Sequence, residues 1–256
     1  MSSIVIAGLG IRGPEQVTDE VRRLVSEVDI VFHSVSSPST REWLERTATD
    51  TRDLNDLYTD GCPRIETYRA MAAMVVERAA RGATVMFAVY GHPCVLHTGV
   101  QLTVRAAASH HIPTRILPGV SSIDGMLAAA AIDFGFGGLH VLEASDMLMY
   151  GRMPQTEGHV VILQVAIAGP RVHRATGHRG VYADLLIRRL ATLYPPEHPA
   201  LHFRLASDCS ATDSLEWTTV DRLPDERWTN ASSLYLPAAH RASVDPVYAV
   251  RFGLHQ

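Results

Sequence analysis

The sequence predicts an α/β protein of two domains, a parallel-sheet amino-terminal domain over residues 1–117 and a mixed-sheet carboxyl-terminal domain over residues 118–256. Up to Leu117, short apolar runs end at turns bearing Gly or Pro and are followed by helical periodicity. That repeating order is what a parallel sheet with crossover helices requires. The run from Val85 to Val89 is apolar throughout, as a strand covered on both faces must be, and it breaks abruptly at Tyr90-Gly91-His92-Pro93. Beyond Ala131 four strand candidates crowd around one clear helix, so the architecture changes there.

Taken in order, Ile4 to Ala7 is the first strand and runs into Gly8, Gly10, Gly13 and Pro14 before a charged helical stretch from Thr18 to Ser26. Asp29 to Ser34 forms a second strand, and Thr40 to Arg46 a short helix opened by a Ser/Thr cap. Met71, Met74, Val75 and Arg78 recur at three-four spacing, which predicts a helix over Thr67 to Arg81 closed by Gly82. After the strand at Val85 come an alanine-rich helix from Gly99 to His110, a strand over Thr114 to Leu117, and a helix capped by Ser121 or Ser122 and running to Ala131. The later strands are Leu139 to Glu143, His159 to Gln164, Ala200 to Leu205 and Ser232 to Leu236, with a helix over Tyr182 to Tyr194. Turn-rich connectors fill Gly151 to Gly158 and Gly169 to Gly180.

The composition narrows the function. Hydrophobic residues make up 46% and charged residues 20% of the 256, an ordinary globular balance that argues against disorder. A net charge of −4 gives no basic footprint, so neither nucleic acid nor an anionic membrane is an expected partner. Cys62, Cys94 and Cys209 are far apart and odd in number, which fits a reducing cytoplasm better than a disulfide framework or a zinc site. The start, MSSIVIAGLGI, has no basic region ahead of a long apolar core and is not a signal peptide. Without any membrane-length apolar run, a soluble cytoplasmic protein is the expectation.

Three segments could carry chemistry. The Tyr90-Gly91-His92-Pro93 turn stands at a strand's carboxyl end, where open α/β sheets bind ligands, although Gly-Pro turns after strands also occur without any ligand. Gly8, Gly10 and Gly13 match the spacing of a dinucleotide fingerprint, but Pro14 follows at once and Asp29 opens a strand rather than closing one. The loop therefore suits close packing against a ligand or a neighbouring loop. In YTDGCPRIETY, Arg64 and Tyr68 share one face if a helix begins near Pro63, with Tyr58 upstream. A guanidinium beside a phenol favours the phenolate, which makes Tyr68 a candidate general base; plain packing of Tyr on Arg is the simpler alternative. The thirteen histidines include no metal-binding spacing, and Gln164 stands in the apolar run VVILQVAIAG, most simply a core strand.

The glycine loop ending in Pro14 and Thr18, the YGHP turn, and PGVSS at Pro118 to Ser122 together resemble the tetrapyrrole methylase superfamily. The turn there usually reads Gly-Asp-Pro; Gly91-His92-Pro93 is similar instead to the borosin peptide α-N-methyltransferases. PRIETY at Pro63 to Tyr68, LEAS at Leu142 to Ser145, LQVAIAG at Leu163 to Gly169 and LYPPEH at Leu193 to His198 resemble the same group, in order along nearly the whole chain. The resemblance implies two α/β domains with S-adenosylmethionine in the cleft between them. It places Gly8, Gly10, Pro14, Tyr90, Gly91, His92, Val95, Leu96, Ser121, Ser122 and Gln164 at the cofactor, and Arg64, Tyr68 and Tyr58 at the chemistry. One further family tyrosine is Asn55 here, so the tyrosine cluster is thinner. It also implies an interlocked homodimer.

The expected reaction is methylation of peptide backbone amides. Borosin relatives in fungi carry the substrate as a carboxyl-terminal extension; this sequence ends at VRFGLHQ, so a separate precursor peptide bound in trans is the expectation. Two alternatives stand beside it: a methyltransferase of the same fold acting on a tetrapyrrole carbon, and a cofactor- or peptide-binding module without catalysis.

Overall fold

The computed structural model describes residues 2–174, 181–225 and 228–253. Residues 175–180 of the connector after Gly169 and the last three of the VRFGLHQ tail lie outside the described residues. Two compact units emerge, and neither is one continuous stretch of chain. The first joins Met1–Ile132 to Gly169–His178 and Phe203–Leu215, and the second takes Asp133–Ala168, Arg179–His202 and Glu216–Gln256.

In the first unit, β1 (Ser3–Gly8), β2 (Ile30–Ser34), β3 (Thr51–Asp53), β4 (Thr84–Val89) and β5 (Thr114–Leu117) form a parallel sheet in the order β3-β2-β4-β1-β5. The expected strands are present, and β3 is an addition. With only Thr51, Arg52 and Asp53, it has no apolar pattern and is held at the edge by pairing with β2. The helices are α1 (Asp19–Glu27), α2 (Pro38–Thr47), α3 (Arg64–Ala80), α4 (Thr98–Ser109) and α5 (Ser122–Ala130).

Alternation along the strands divides the core into two layers. Ile4, Ile6, Phe32, Val85, Phe87 and Val89 face α3 and α4, packing on Met71, Val75, Val100 and Ala107. Ala7, Val31, Met86 and Ala88 face the other way, onto Val21 and Val25 of α1 and Leu44 of α2. Each large apolar side chain buried this way stabilises the fold by roughly 1.5–3 kcal/mol. The chain leaves β1 for α1 on one face and leaves the adjacent β4 for α4 on the other. A crevice between two such strands, at their carboxyl ends, is where an open α/β sheet binds its ligand.

The second unit is built on a mixed sheet of β6 (Leu139–Glu143), β7 (His159–Leu163), β8 (Pro199–Arg204), β9 (Ser214–Thr219) and β10 (Ser233–Leu236), in the order β6-β7-β10-β8-β9. β6 runs parallel to β7, and β10 antiparallel to it. Three helices accompany it: α6 (Ala144–Met149), α7 (Val181–Ala191) and α8 (Pro246–Arg251). Leu142, Val160, Ile162, Leu234 and Leu236 on one face of the sheet share a core with Met147 of α6 and with Leu186 and Leu190 of α7. β9, α6 and α8 were not legible in the sequence; the two helices have six residues each, too short to show a helical period. The expected core strand through VVILQVAIAG stops at Leu163. Gln164 turns the chain with φ 59° and ψ 36°, and a short 3-10 turn follows.

Candidate active site

Three loops meet above the sheet of the first unit with no room for side chains between them. A Cβ on Gly8 would lie 2.5 Å from the Gly91 carbonyl oxygen, 2.7 Å from the Gly119 nitrogen and 2.8 Å from Pro93. A Cβ on Gly119 would meet the same carbonyl at 2.6 Å. The loops after β1, β4 and β5 thus pack backbone on backbone, and Gly91 N–H donates to Gly10 O at 2.8 Å. Gly8 and Gly119 are glycines for packing.

Gly91 differs from them. Its φ is +69°, and a Cβ there would meet only the Val120 carbonyl at an ordinary 3.9 Å, so glycine is needed at this position for its backbone conformation and not for close packing. The following turn is held from within: His92 Nδ1 accepts from Cys94 N–H at 3.0 Å, and Val95 N–H donates to His92 O at 3.0 Å. That acceptance is why an imidazole can stand where an Asp side chain would otherwise close the turn. Leu96 then adopts φ 54° with its side chain 45% exposed, a left-handed conformation that costs a non-glycine residue about 1–2 kcal/mol. Exposed apolar residues held under backbone strain concentrate at ligand sites. Tyr90 precedes the turn, and burial pushes its phenol up to about 12.

Around this turn the other expected cofactor residues serve the loops' own structure. Gln16 Oε1 accepts from Ile11 N–H and Arg12 N–H at 2.6 and 3.0 Å, filling the space that a side chain on Gly10 would need. Pro14 opens a 3-10 turn after Gly13, and its carbonyl accepts from Arg22. Ser121 caps α5 in a reciprocal capping box with Asp124, leaving Ser122 half-buried in the first turn. Gln164 lies in the second unit and, with Leu96, His111 and Ala131 of the first, is one of four non-glycine residues with positive φ among the described residues.

The expected catalytic residues gather at the start of α3. The helix begins at Arg64, three residues before the sequence periodicity shows it, so Arg64 and Tyr68 lie one turn apart on one face. Tyr58 follows a 3-10 turn and stands edge-on to Tyr68, ring centroids 6.4 Å apart and planes at 90°. Burial raises the Tyr58 phenol well above its ordinary value, and Tyr68 adds to this by charge and hydrogen bond while Arg64 opposes it. Tyr58 is therefore a protonated donor and not a base.

Asn55 anchors this cluster to the sheet. It accepts from Ser34 Oγ at 2.9 Å and donates through Nδ2 to Val35 O at 2.8 Å, while Tyr90 N–H donates to Ser34 O at 3.1 Å. The tyrosines and the YGHP turn are thereby tied to one strand end, that of β2. Sequence reasoning missed the second anchor. The segment Arg171 to His173 bridges Gly61 to Arg64 in antiparallel fashion, with Arg64 N–H donating to Arg171 O at 2.8 Å and His173 N–H to Cys62 O at 2.8 Å. No local signal could have shown it, because the partners are more than a hundred residues apart.

A comparison with protein families matches residues 3–211 to the tetrapyrrole (corrin/porphyrin) methylases. The chain belongs to that family. Among curated relatives of this methylase, the methyltransferase/ribosomally synthesized type III borosin cyclic peptide precursor of Anomoporia bombycina is 30% identical over 98% of the chain. The chain spans 30% of that relative's length. Among solved structures, uroporphyrin-III-C-methyltransferase from Thermus thermophilus shares the fold at TM-score 0.67 and 20% identity, covering 100% of this chain and 98% of that one. A structure of uroporphyrin-III C-methyltransferase from the same organism complexed with S-adenyl homocysteine aligns at TM-score 0.61 and 16% identity over 92% of both chains. The methylase fold expected from the sequence, with a parallel sheet followed by a mixed one, is the fold observed, each sheet having five strands. Among the described residues no helix is long and apolar enough to cross a membrane.

Proposed function

We propose that the chain is an S-adenosylmethionine-dependent methyltransferase acting on backbone amides of a ribosomally made precursor peptide that is supplied as a separate chain. The observation that carries this reading is Arg64 one helical turn from Tyr68, with the protonated Tyr58 edge-on to Tyr68. Methylation of an amide nitrogen needs such a cluster, because the lone pair is delocalised into the carbonyl until the proton leaves. The printed description of the Anomoporia relative, both methyltransferase and peptide precursor, supports the same substrate class.

The residues fit the methyl donor. Gly91 is not crowded at its Cβ position, and strained, exposed Leu96 with half-buried Val95 and His92 gives an apolar wall bearing one imidazole. These residues, with Tyr90 and Ser122, would hold S-adenosylmethionine, which supplies an electrophilic methyl group. In the proposed step Tyr68, acting as the phenolate, takes the amide proton and becomes the phenol, and the nitrogen would take the methyl group with the cofactor leaving as its neutral thioether. Arg64 and the Tyr58 hydroxyl stabilise the negative charge that grows on the peptide oxygen as that proton leaves, and holding the nitrogen in line supplies much of the rate. The proposed active species is a homodimer.

Calorimetry with S-adenosylmethionine tests the cofactor, and sedimentation tests the dimer. Mass spectrometry after coexpression with peptides encoded in neighbouring reading frames tests the reaction, with fragmentation locating any methyl on a backbone nitrogen. Methyl groups on the enzyme's own chain would contradict a separate substrate. Methylation of a porphyrinoid, with all peptides unmodified, would overturn the peptide reading.

A further inference from the structure

Tyr58 has no helix to hold it. It follows the three-residue turn Asn55–Leu57, and its ring can swing about two side-chain torsions unless neighbours prevent it. Tyr68 supplies one wall, edge-on at 90°. The other wall is His173, whose ring lies 4.7 Å from the Tyr58 ring centroid and only 33° from its plane. One near-parallel face and one perpendicular edge together define both torsions, so the hydroxyl has one place to be.

His173 is itself fixed by backbone. Its N–H donates to Cys62 O at 2.8 Å, and its carbonyl accepts from Gly61 N–H at 2.9 Å. With the bridge between Pro63 and Val172, this clamps the imidazole to the turn that leads into α3. A ring delivered by two backbone hydrogen bonds on a chain segment remote in sequence has more precision than packing of an apolar core requires. None of the steps derived above uses it.

We propose that His173 is a positioning residue for methyl transfer: its ring face, carried by the antiparallel pairing of Arg171 to His173 with Gly61 to Arg64, sets the orientation of the Tyr58 hydroxyl. The inference rests on the functional reading above and adds a residue to it. It acts through ring shape, so His173→Phe keeps the wall and His173→Ala removes it. A misplaced donor of this kind costs on the order of tenfold to a hundredfold in rate, and since the contacts that define the role of His173 run to Tyr58, Gly61 and Cys62, none of them assigned to the cofactor, S-adenosylmethionine affinity is expected to stay unchanged.

The experiment compares wild type, H173A and H173F in two ways. The first is the split between kcat and KM for methyl transfer to the peptide encoded beside the gene. The second is ultraviolet phenolate titration of Tyr58, isolated by difference from a Tyr58→Phe background and independent of turnover. The expected result is a kcat at least about tenfold lower in H173A with unchanged KM for S-adenosylmethionine, recovery in H173F, and Tyr58 ionising at lower pH in H173A alone. Wild-type kcat in H173A, or H173F as impaired as H173A, overturns the inference while leaving the functional reading intact. A wild-type protein that binds S-adenosylmethionine yet methylates no peptide overturns the functional reading and the role built on it, whatever the titration shows.

Discussion

Tyr58 and Tyr68 meet edge to face, ring centroids 6.4 Å apart with planes at 90°, although they reach that contact from a 3-10 turn and from the second turn of a helix. The pairing separates two roles for one residue type in the proposed mechanism: Tyr58 keeps its proton because burial raises its phenol, and Tyr68, one helical turn from Arg64, is the residue proposed as the base. Tyr68→Phe retains the ring contact and loses only the hydroxyl. The expected outcome is loss of peptide methylation with S-adenosylmethionine binding by calorimetry unchanged. Full activity in that variant would remove Tyr68 from the mechanism.

Gly8 and Gly91 are predicted to respond differently to alanine. At Gly8 the new Cβ meets backbone of two other loops below 3 Å, and neither can yield without moving its strand. Overpacking of this kind costs roughly 1–3 kcal/mol or more and displaces the YGHP turn. At Gly91 the Cβ meets only the Val120 carbonyl at an ordinary 3.9 Å, and only the positive φ is penalised, by about 1–2 kcal/mol. Gly8→Ala is therefore expected to lose more stability in urea unfolding, whereas Gly91→Ala loses cofactor affinity out of proportion to stability. The reverse order would contradict the packing role of Gly8.

His97 caps α4 with a neutral ring. Its Nδ1 accepts from Val100 N–H at 3.3 Å, and burial lowers its ionisation from 6.5 to about 4. The unfolded chain protonates this histidine near pH 6.5 and the folded chain only near 4, so the stabilisation is complete above 6.5 and is lost as pH falls toward 4, roughly 3 kcal/mol in all. His33, also lowered by burial, adds in the same direction. Unfolding midpoints between pH 7 and 4 should fall less steeply in His97→Asn, which keeps an acceptor for the cap but does not titrate. An equal slope in the two proteins would assign the acid sensitivity elsewhere.

Asn55→Ala removes both side-chain hydrogen bonds that tie the Tyr58 turn to the end of β2, leaving the backbone bond from Leu54 N–H to His33 O. Leaving the Val35 carbonyl and Ser34 hydroxyl without this partner is expected to cost about 1–3 kcal/mol. Methyl transfer should drop further than the folded fraction does, because the Tyr58 turn also loses its register. Activity that tracks the folded fraction alone would show that the turn is held by other contacts.

Much of the first unit was legible because its signals are local. The strands at Ile4 and Val85 are apolar on both faces, Thr18 and Ser37 cap α1 and α2, and the turns fall at Gly and Pro. β3 was hidden because an edge strand of Thr51 to Asp53 needs no apolar pattern, only a neighbour to pair with. The start of α3 was hidden because its first turn, Arg64 to Glu66, carries no core residue and gains its anchor from the Arg171 carbonyl. The bend at Gln164 was hidden because nothing in an apolar run announces a left-handed glutamine.

By itself the sequence determined most of the strands and helices of the first unit and the change from a parallel to a mixed sheet, since these follow from period and turn chemistry along the chain, and its motifs carried the resemblance to the methylases and the residues to watch. Only the tertiary structure decided that Gly8 and Gly119 keep loops in contact while Gly91 serves its backbone conformation, that Tyr58 keeps its proton beside Tyr68, and that His173 stands against the Tyr58 ring. Those outcomes depend on burial and on backbone pairing between segments far apart in the chain. Neither quantity exists until the chain has folded.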